Sequence, residues 1–139
     1  MDNTDSRDLD LSQKLQQATD GLLFMSESDY PFEVFLWEPS VSGQITPEQV
    51  LQQTGKAIAT PIQEVGFDQF WHPALKPQDW HGEPEKETIH RYQNLVGILK
   101  AYLAGLQVYR VGKVTIDVYI VGQTASGKFA GVKTKVVET

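Results

Sequence analysis

The spacing of hydrophobic residues follows a helical period over two long stretches of the chain. Near the start, apolar residues recur every three or four positions, which predicts an amphipathic helix ending near Gly21. Its apolar positions are Leu11, Leu15, Ala18 and Leu22. A wider apolar stripe over residues 89–103 predicts the main helix, from Glu83 to Gly105. Between them, Thr46 followed by Pro47 is typical of the cap and first position of a short helix.

From residue 107 the hydrophobic period changes to two, which predicts a three-stranded antiparallel meander at the C-terminal end. An earlier strand is predicted over residues 32–37, with apolar side chains on both faces, so we expect it inside a covered sheet. The proline-bearing stretch 56–84 predicts long loops with at most one short helix, near residues 67–71. Predicted helices in the first two thirds of the chain, followed by antiparallel strands at the C-terminal end, favour an α+β fold.

Length and composition bound the class of protein. The chain has 139 residues, 40% of them hydrophobic, which predicts a single globular domain over 1–139, with 1–8 as a flexible acidic tail. The absence of cysteine excludes disulfides, thiolate nucleophiles and cysteine-ligated metals. The sequence has no run of 18 apolar residues and no signal-peptide pattern, so we expect a cytoplasmic protein.

The net charge of −6 argues against a protein that binds or wraps nucleic acid directly. The negative charge is concentrated in residues 1–40. This segment contains nine acidic residues and only two basic ones, Arg7 and Lys14, so its net charge is −7. One interpretation is a solvated tail and helix face that aid solubility. The other is that residues 27–38 present carboxylates to a basic or metal-bearing cleft.

Candidate catalytic motifs are weak. We expect His72 and His81 in loops and His90 on a helix surface, rather than a shared metal site. The glycines form neither a dinucleotide-binding loop nor a Walker loop. Acidic pairs do exist, Glu27 with Asp29 and Glu33 with Glu38; the first could ligate a hard cation or simply cap a turn.

Two further positions are ambiguous from the residues alone. Trp80, between an aspartate and a histidine, is either a core anchor or an exposed interface residue. Thr139, at the end of the last predicted strand, is either an ordinary frayed end or an oxygen ligand offered to a partner's metal.

Five sequence blocks stand out in order along the chain. The longest is GLLFMSESDYPFEVFLWE, over residues 21–38. Shorter blocks are VLQQTG at 50–55, PQDW at 77–80, QVYR at 107–110 and TKVVET at 134–139. Together these blocks resemble the nuclease A inhibitor family of cyanobacteria and their relatives, and the resemblance runs from about Leu9 to the end.

The resemblance implies a three-layer α-β-α sandwich with a mostly antiparallel sheet, similar to plant pathogenesis-related proteins. It also implies inhibition of a secreted, sugar-non-specific DNA/RNA nuclease of the ββα-metal class. The family's inhibitory glutamate and C-terminal threonine fall on Glu27 and Thr139, which would reach the nuclease's catalytic Mg²⁺. The tryptophan of its Gln-Asp-Trp motif falls on Trp80, which would supply interface contact.

We therefore expect a non-catalytic protein with no cofactor, a monomer when free, that forms a 1:1 complex with the nuclease. Metal contact through Glu27 and Thr139 would be only to the partner's ion. One alternative is a binding module of the same fold that recognises another protein or a small ligand. A hydrolase that uses Glu27, Asp29 and a loop histidine is a further alternative.

Overall fold

The computed structural model describes residues 6–24, 30–38, 45–57, 59–75 and 82–137. These residues form four helices and seven strands. The helices are α1 (Ser6–Thr19), α2 (Pro47–Gln53), α3 (Phe67–Leu75) and α4 (Glu83–Tyr102). The strands are β1 (Leu23–Phe24), β2 (Tyr30–Pro31), β3 (Glu33–Trp37), β4 (Ile62–Gly66), β5 (Ala104–Val111), β6 (Thr115–Gln123) and β7 (Phe129–Val137).

Five strands make one antiparallel sheet in the order β3-β7-β6-β5-β4, and β1 pairs with β2 in a separate two-stranded ladder. The β5–β6–β7 meander is the one that the alternating pattern predicts. Among the described strands, β3 lies at an edge of the sheet and pairs only with β7, so the expectation of an interior strand is wrong. β3 nevertheless carries apolar residues on both faces, because each face of this edge strand packs against one of the two hydrophobic cores.

One face of the sheet is covered by α1, α3 and α4, and this interface holds the larger core. Side chains at even-numbered positions of β6 and β7 point into it, since successive residues of a strand face opposite ways. The fully buried helix residues include Leu15, Trp71, Leu95 and Leu99, and the strand residues include Val108, Val118, Ile120 and Val132.

The other face of the sheet is covered by α2, which contributes Val50 and Leu51 to a second core. The strands supply Tyr109, Val111, Tyr119, Val121 and Phe129. Helices therefore pack on both sides of one antiparallel sheet, which confirms the predicted α+β, three-layer sandwich. No helix among the described residues has the length and apolar character needed to cross a membrane.

Local signals predict some element boundaries and miss others. α2 begins as expected, with Pro47 at its first position and the Thr46 hydroxyl accepting a hydrogen bond from the backbone N–H of Gln49 at 3.2 Å. α1 begins at Ser6, earlier than its apolar stripe, and so includes residues 6–8 of the expected acidic tail. The 56–84 stretch contains a strand, β4, that the sequence analysis does not predict.

Candidate functional site

The described residues around the predicted inhibitory loop form a short antiparallel ladder. Leu23 pairs with Pro31 and Phe24 pairs with Tyr30, so β1 and β2 bracket residues 25–29. Glu27 belongs to that bracketed segment and lies outside the described residues, as do Trp80 and Thr139. We call the region formed by β1, β2 and the last residues of β7 the hairpin end of the molecule.

The base of this ladder rests on an aromatic cluster in the larger core. The ring of Phe24 stacks on Phe70 with 5.3 Å between centroids, and it meets Trp71 and Tyr92 at 6.2 Å each. Phe32, just after β2, stacks on Trp71 at 6.2 Å. Both sides of the ladder are thereby fixed against helices α3 and α4, because closely packed rings restrict movement.

Two buried hydroxyl groups also bond to the backbone of the ladder. Tyr92 Oη donates to the carbonyl oxygen of Leu23 at 2.6 Å. Thr134 Oγ1, on β7, lies 3.1 Å from the carbonyl oxygen of Pro31 and 3.4 Å from that of Tyr30. The hairpin is therefore tied to a helix on one side and to the final strand on the other.

The final strand leads from this contact toward the end of the chain. β7 continues from Thr134 to Val137, which pairs with Thr115 at the start of β6. Residues 138–139 follow and lie outside the described residues. The hairpin and the strand that precedes Thr139 therefore meet at one end of the sheet.

Leu75 is the last described residue before the segment that carries Trp80. Its carbonyl oxygen, at the end of α3, is 3.5 Å from Nε2 of Gln93 on α4. The residue before Gln93 is Tyr92, which bonds to the hairpin. The end of α3 and the hairpin thus contact neighbouring residues of α4, and Trp80 lies outside the described residues.

The hairpin end carries charges of both signs on the face toward α2. A depression of about 240 Å³ there is lined by Tyr30, Pro31, Glu33, Lys133, Thr134 and Lys135. On the same face of the sheet, Lys56 Nζ is 2.9 Å from Asp117 Oδ2. Burial, followed by the charge of Asp117, raises the pKa of Tyr119 to about 12, so its phenol is neutral at physiological pH. The charged residues that line the depression are Glu33, Lys133 and Lys135.

Other candidate groups from the sequence do not converge. Glu33 and Glu38 lie at opposite ends of β3; Glu33 pairs across the sheet with Lys133, and Glu38 is 3.9 Å from Lys128 Nζ. His72 is exposed on α3, not in a loop as expected. Within the described ranges, no group of three His, Cys, Asp or Glu side chains is arranged to hold a metal ion.

The sequence analysis missed the two residues that tie down the hairpin. Tyr92 belongs to the predicted apolar stripe of the main helix. The helical period does not predict that its hydroxyl bonds to Leu23, 69 positions earlier in the chain. Thr134 falls within the block TKVVET, but its position in the block gives no role to its hydroxyl. Both contacts are long-range, and no local sequence signal could have identified them.

Comparison with known proteins assigns the family. Residues 10–139 match the family model of nuclease A inhibitor-like proteins. A search of curated proteins finds no match. The family match begins inside α1 and includes every later element of the fold, the hairpin and β7 among them. This chain belongs to the nuclease A inhibitor-like family.

Proposed function

We propose that this protein inhibits a sugar-non-specific, Mg²⁺-dependent DNA/RNA endonuclease of the ββα-metal class by occupying its active site. The observation that carries the proposal is the family match over residues 10–139. The protein needs no chemistry of its own for this role, because blocking a cleft is a matter of binding. In this proposal it acts in the cytoplasm, is monomeric when free, and forms a 1:1 complex.

The geometry of the hairpin end supports this role. Glu27 is three residues from both Phe24 and Tyr30, and a residue spans at most about 3.6 Å, so it lies within about 11 Å of each. Thr139 follows Thr134 by five residues, a span of at most about 18 Å. Since Thr134 bonds to the hairpin, a loop carboxylate and a chain-end oxygen can approach one metal ion together.

The chemistry of the proposed contacts matches a nuclease cleft. Mg²⁺ prefers hard oxygen ligands such as carboxylates, so Glu27 and Thr139 would take the place of phosphate oxygens at the nuclease's ion. Trp80 would cover the rim of the cleft with an apolar ring, as aromatic residues do at interface centres. The net charge of −7 in residues 1–40 would speed encounter with a basic cleft, most strongly at low salt.

A titration tests the proposal. Purified protein is added to a ββα-metal nuclease encoded in the same genome, with Mg²⁺ present, and DNA hydrolysis is followed. We expect a sharp equivalence point at one inhibitor per nuclease. Full nuclease activity at large inhibitor excess would overturn the proposal and direct attention to a binding module with another partner.

A further inference from the structure

We propose that a pocket on the α2-covered face of the sheet binds a guanidinium group on a short aliphatic stem. The pocket lies at the end of the sheet away from the hairpin, so it is independent of the proposed function. Its described walls include Glu64, Gln107, Tyr109, Gln123 and Phe129. These side chains supply one carboxylate, two amides and two aromatic rings to a single depression.

The pocket forms where the β5–β6 ladder becomes irregular. Ala104 pairs with Gln123, and pairing resumes only at Gln107, so a bulge separates the two positions. Gly105, inside the bulge, has a φ of +61°, a conformation that favours glycine. Because Ala104 and Gly105 have little or no side chain, they leave a depression of about 260 Å³ beside Ile45.

The pocket is separate from the hairpin end. Phe129 begins β7, whereas Thr134, which contacts the hairpin, lies five residues further along the same strand. A strand advances about 3.3 Å per residue, so the two positions are roughly 17 Å apart. A small ligand in the pocket and a nuclease at the hairpin end would therefore contact different parts of the molecule.

The electrostatic environment of the pocket favours a cation. The described walls contain one acidic residue, the exposed Glu64, and no Lys, Arg or His. Burial, followed by the charges of Glu64 and then Glu48, raises the pKa of Tyr109 to about 12. The two carboxylates that disfavour a negative phenolate at this position also favour a positive ligand beside it.

The polar groups favour a guanidinium over an ammonium. Tyr109 is 1% exposed, and its hydroxyl has no hydrogen-bond partner among the described residues. Gln123 Nε2 donates to the carbonyl oxygen of Gly127 at 3.3 Å, which orients that amide. A guanidinium presents five N–H donors in one plane, so it can bond to a carboxylate, an amide oxygen and a phenol oxygen together. An ammonium is a compact and more strongly hydrated charge.

The volume of the pocket limits the size of the ligand. Pockets for drug-sized molecules measure about 300–1,000 Å³, and this one is smaller. It suits a single guanidinium whose stem packs against Ile45 and Phe129. A free small cation and an arginine side chain of a partner protein both carry this chemistry, and binding measurements distinguish the two sources.

The test is an NMR titration of the free protein with ethylguanidinium chloride. Backbone amide shifts are followed over a millimolar range of ligand at constant chloride concentration. We expect saturable shifts at Gln107, Gln123 and Phe129, with a Kd on the order of millimolar, as is usual for so small a ligand. The neutral isostere ethylurea should cause no such shifts. An absence of saturable shifts at these residues, or an equal response to ethylurea, would overturn the proposal.

Two glutamate variants test the role of the pocket carboxylate. Glu64→Gln removes the charge and keeps the shape, so affinity for ethylguanidinium should fall about fivefold, the upper range for an exposed charge pair. Glu87→Gln is the matched control, because Glu87 is exposed on α4, on the other face of the sheet, and this variant should bind as wild type does. Unchanged affinity in Glu64→Gln, or equal losses in both variants, would contradict the site.

A third variant, Tyr109→Phe, keeps the ring and removes its hydroxyl. Affinity should fall about threefold to tenfold, the effect of one hydrogen bond. If the hydroxyl contributes nothing, this variant binds as wild type does and the assigned ligand position is wrong.

Two further ligands test the chemical class and the source. Ethylammonium should bind several-fold more weakly than ethylguanidinium, and equal affinity would contradict the choice of a guanidinium. N-acetylarginine amide carries the same group on the backbone of a protein residue. Binding at least as tight as that of ethylguanidinium would identify a partner's arginine as the ligand, whereas binding of ethylguanidinium alone would identify a free small cation. None of these measurements needs a nuclease, so a failure of inhibition would leave them unaffected.

Discussion

Asp8 Oδ2 accepts a hydrogen bond of 2.6 Å from the hydroxyl of Ser126, a residue 118 positions later in the turn between β6 and β7. Asp8 is 1% exposed, so this acidic residue is part of the interior and not of a solvated tail. The bond joins the first turn of α1 to the end of the sheet away from the hairpin.

Asp8→Ala should lower the free energy of unfolding by about 1 kcal/mol. A hydrogen bond to a charged group usually contributes more, but Asp8 Oδ1 is buried without a partner among the described residues, which offsets part of the gain. Urea denaturation of the variant measures the change. The control is Asp20→Ala, at an exposed position near the other end of α1, and an equal loss there would contradict a specific role for Asp8.

Gly131→Ala should destabilise the fold by about 3 kcal/mol or more. A Cβ atom at this position of β7 would clash with the carbonyl oxygen of Ile120, a backbone atom of the paired strand. Relief would require separation of the two strands at the centre of the sheet. Thermal and urea denaturation measure the effect.

The matched control for Gly131→Ala is Gly97→Ala, on the exposed side of α4. A Cβ there meets nothing within 4 Å, and alanine is the better helix former. This variant should be more stable than wild type by about 0.5–1 kcal/mol. Similar behaviour of the two variants would mean that the close approach at Gly131 does not exist.

Alkaline pH should destabilise the protein through two tyrosines in the second core. Burial, with a smaller contribution from nearby acidic residues, raises the pKa of Tyr109 and of Tyr119 from 10.0 to about 12. The unfolded chain then loses these protons first, so the stability they contribute is fully present below pH 10 and is lost as the pH rises toward 12. Denaturant titrations at intervals from pH 8 to pH 11.5 measure the fall. The Tyr109→Phe, Tyr119→Phe double variant should show a shallower fall, and an identical profile would contradict this explanation.

Glu27→Ala should weaken inhibition by about 2–5 kcal/mol, the effect of removing one partner of a buried charged contact. The measurement is the inhibition constant against the nuclease. Glu38→Ala is the matched control, because Glu38 is an exposed glutamate that follows the end of β3 away from the hairpin. Equal inhibition by wild type and Glu27→Ala would show that the site is wrong even if the function is right.

Deletion of Thr139 should weaken inhibition by about 1.5–3 kcal/mol, the range for an interaction with a charged group. The melting temperature should stay nearly the same, because the described part of β7 ends at Val137 with its pairing to Thr115 complete. Inhibition and thermal denaturation are measured on the same preparation. A large drop in melting temperature would mean that Thr139 supports the fold, and unaltered inhibition would remove it from the proposed site.

The proposed site itself came from sequence resemblance, residue by residue. Glu27, Trp80 and Thr139 were ambiguous by residue type and spacing, and their roles remain predictions. The structure adds the described flanks of their segments, which adjoin one another through Tyr92, Gln93 and Thr134. These contacts link residues far apart in the chain, so no local pattern could have predicted them.

The sequence by itself determined the elements whose signals are local. The cap at Thr46, the stripe of α4 and the alternation of β5 to β7 depend on neighbours within a few residues, and the structure confirms all three. Tertiary structure alone decided the placement of elements with weak or misleading local signals. β4 has only two apolar side chains and is a strand because β5 offers its backbone groups as partners. Asp8 can be buried because the fold brings the Ser126 hydroxyl to its carboxylate. That hydrogen bond joins residues 118 positions apart, so no local sequence pattern predicts it.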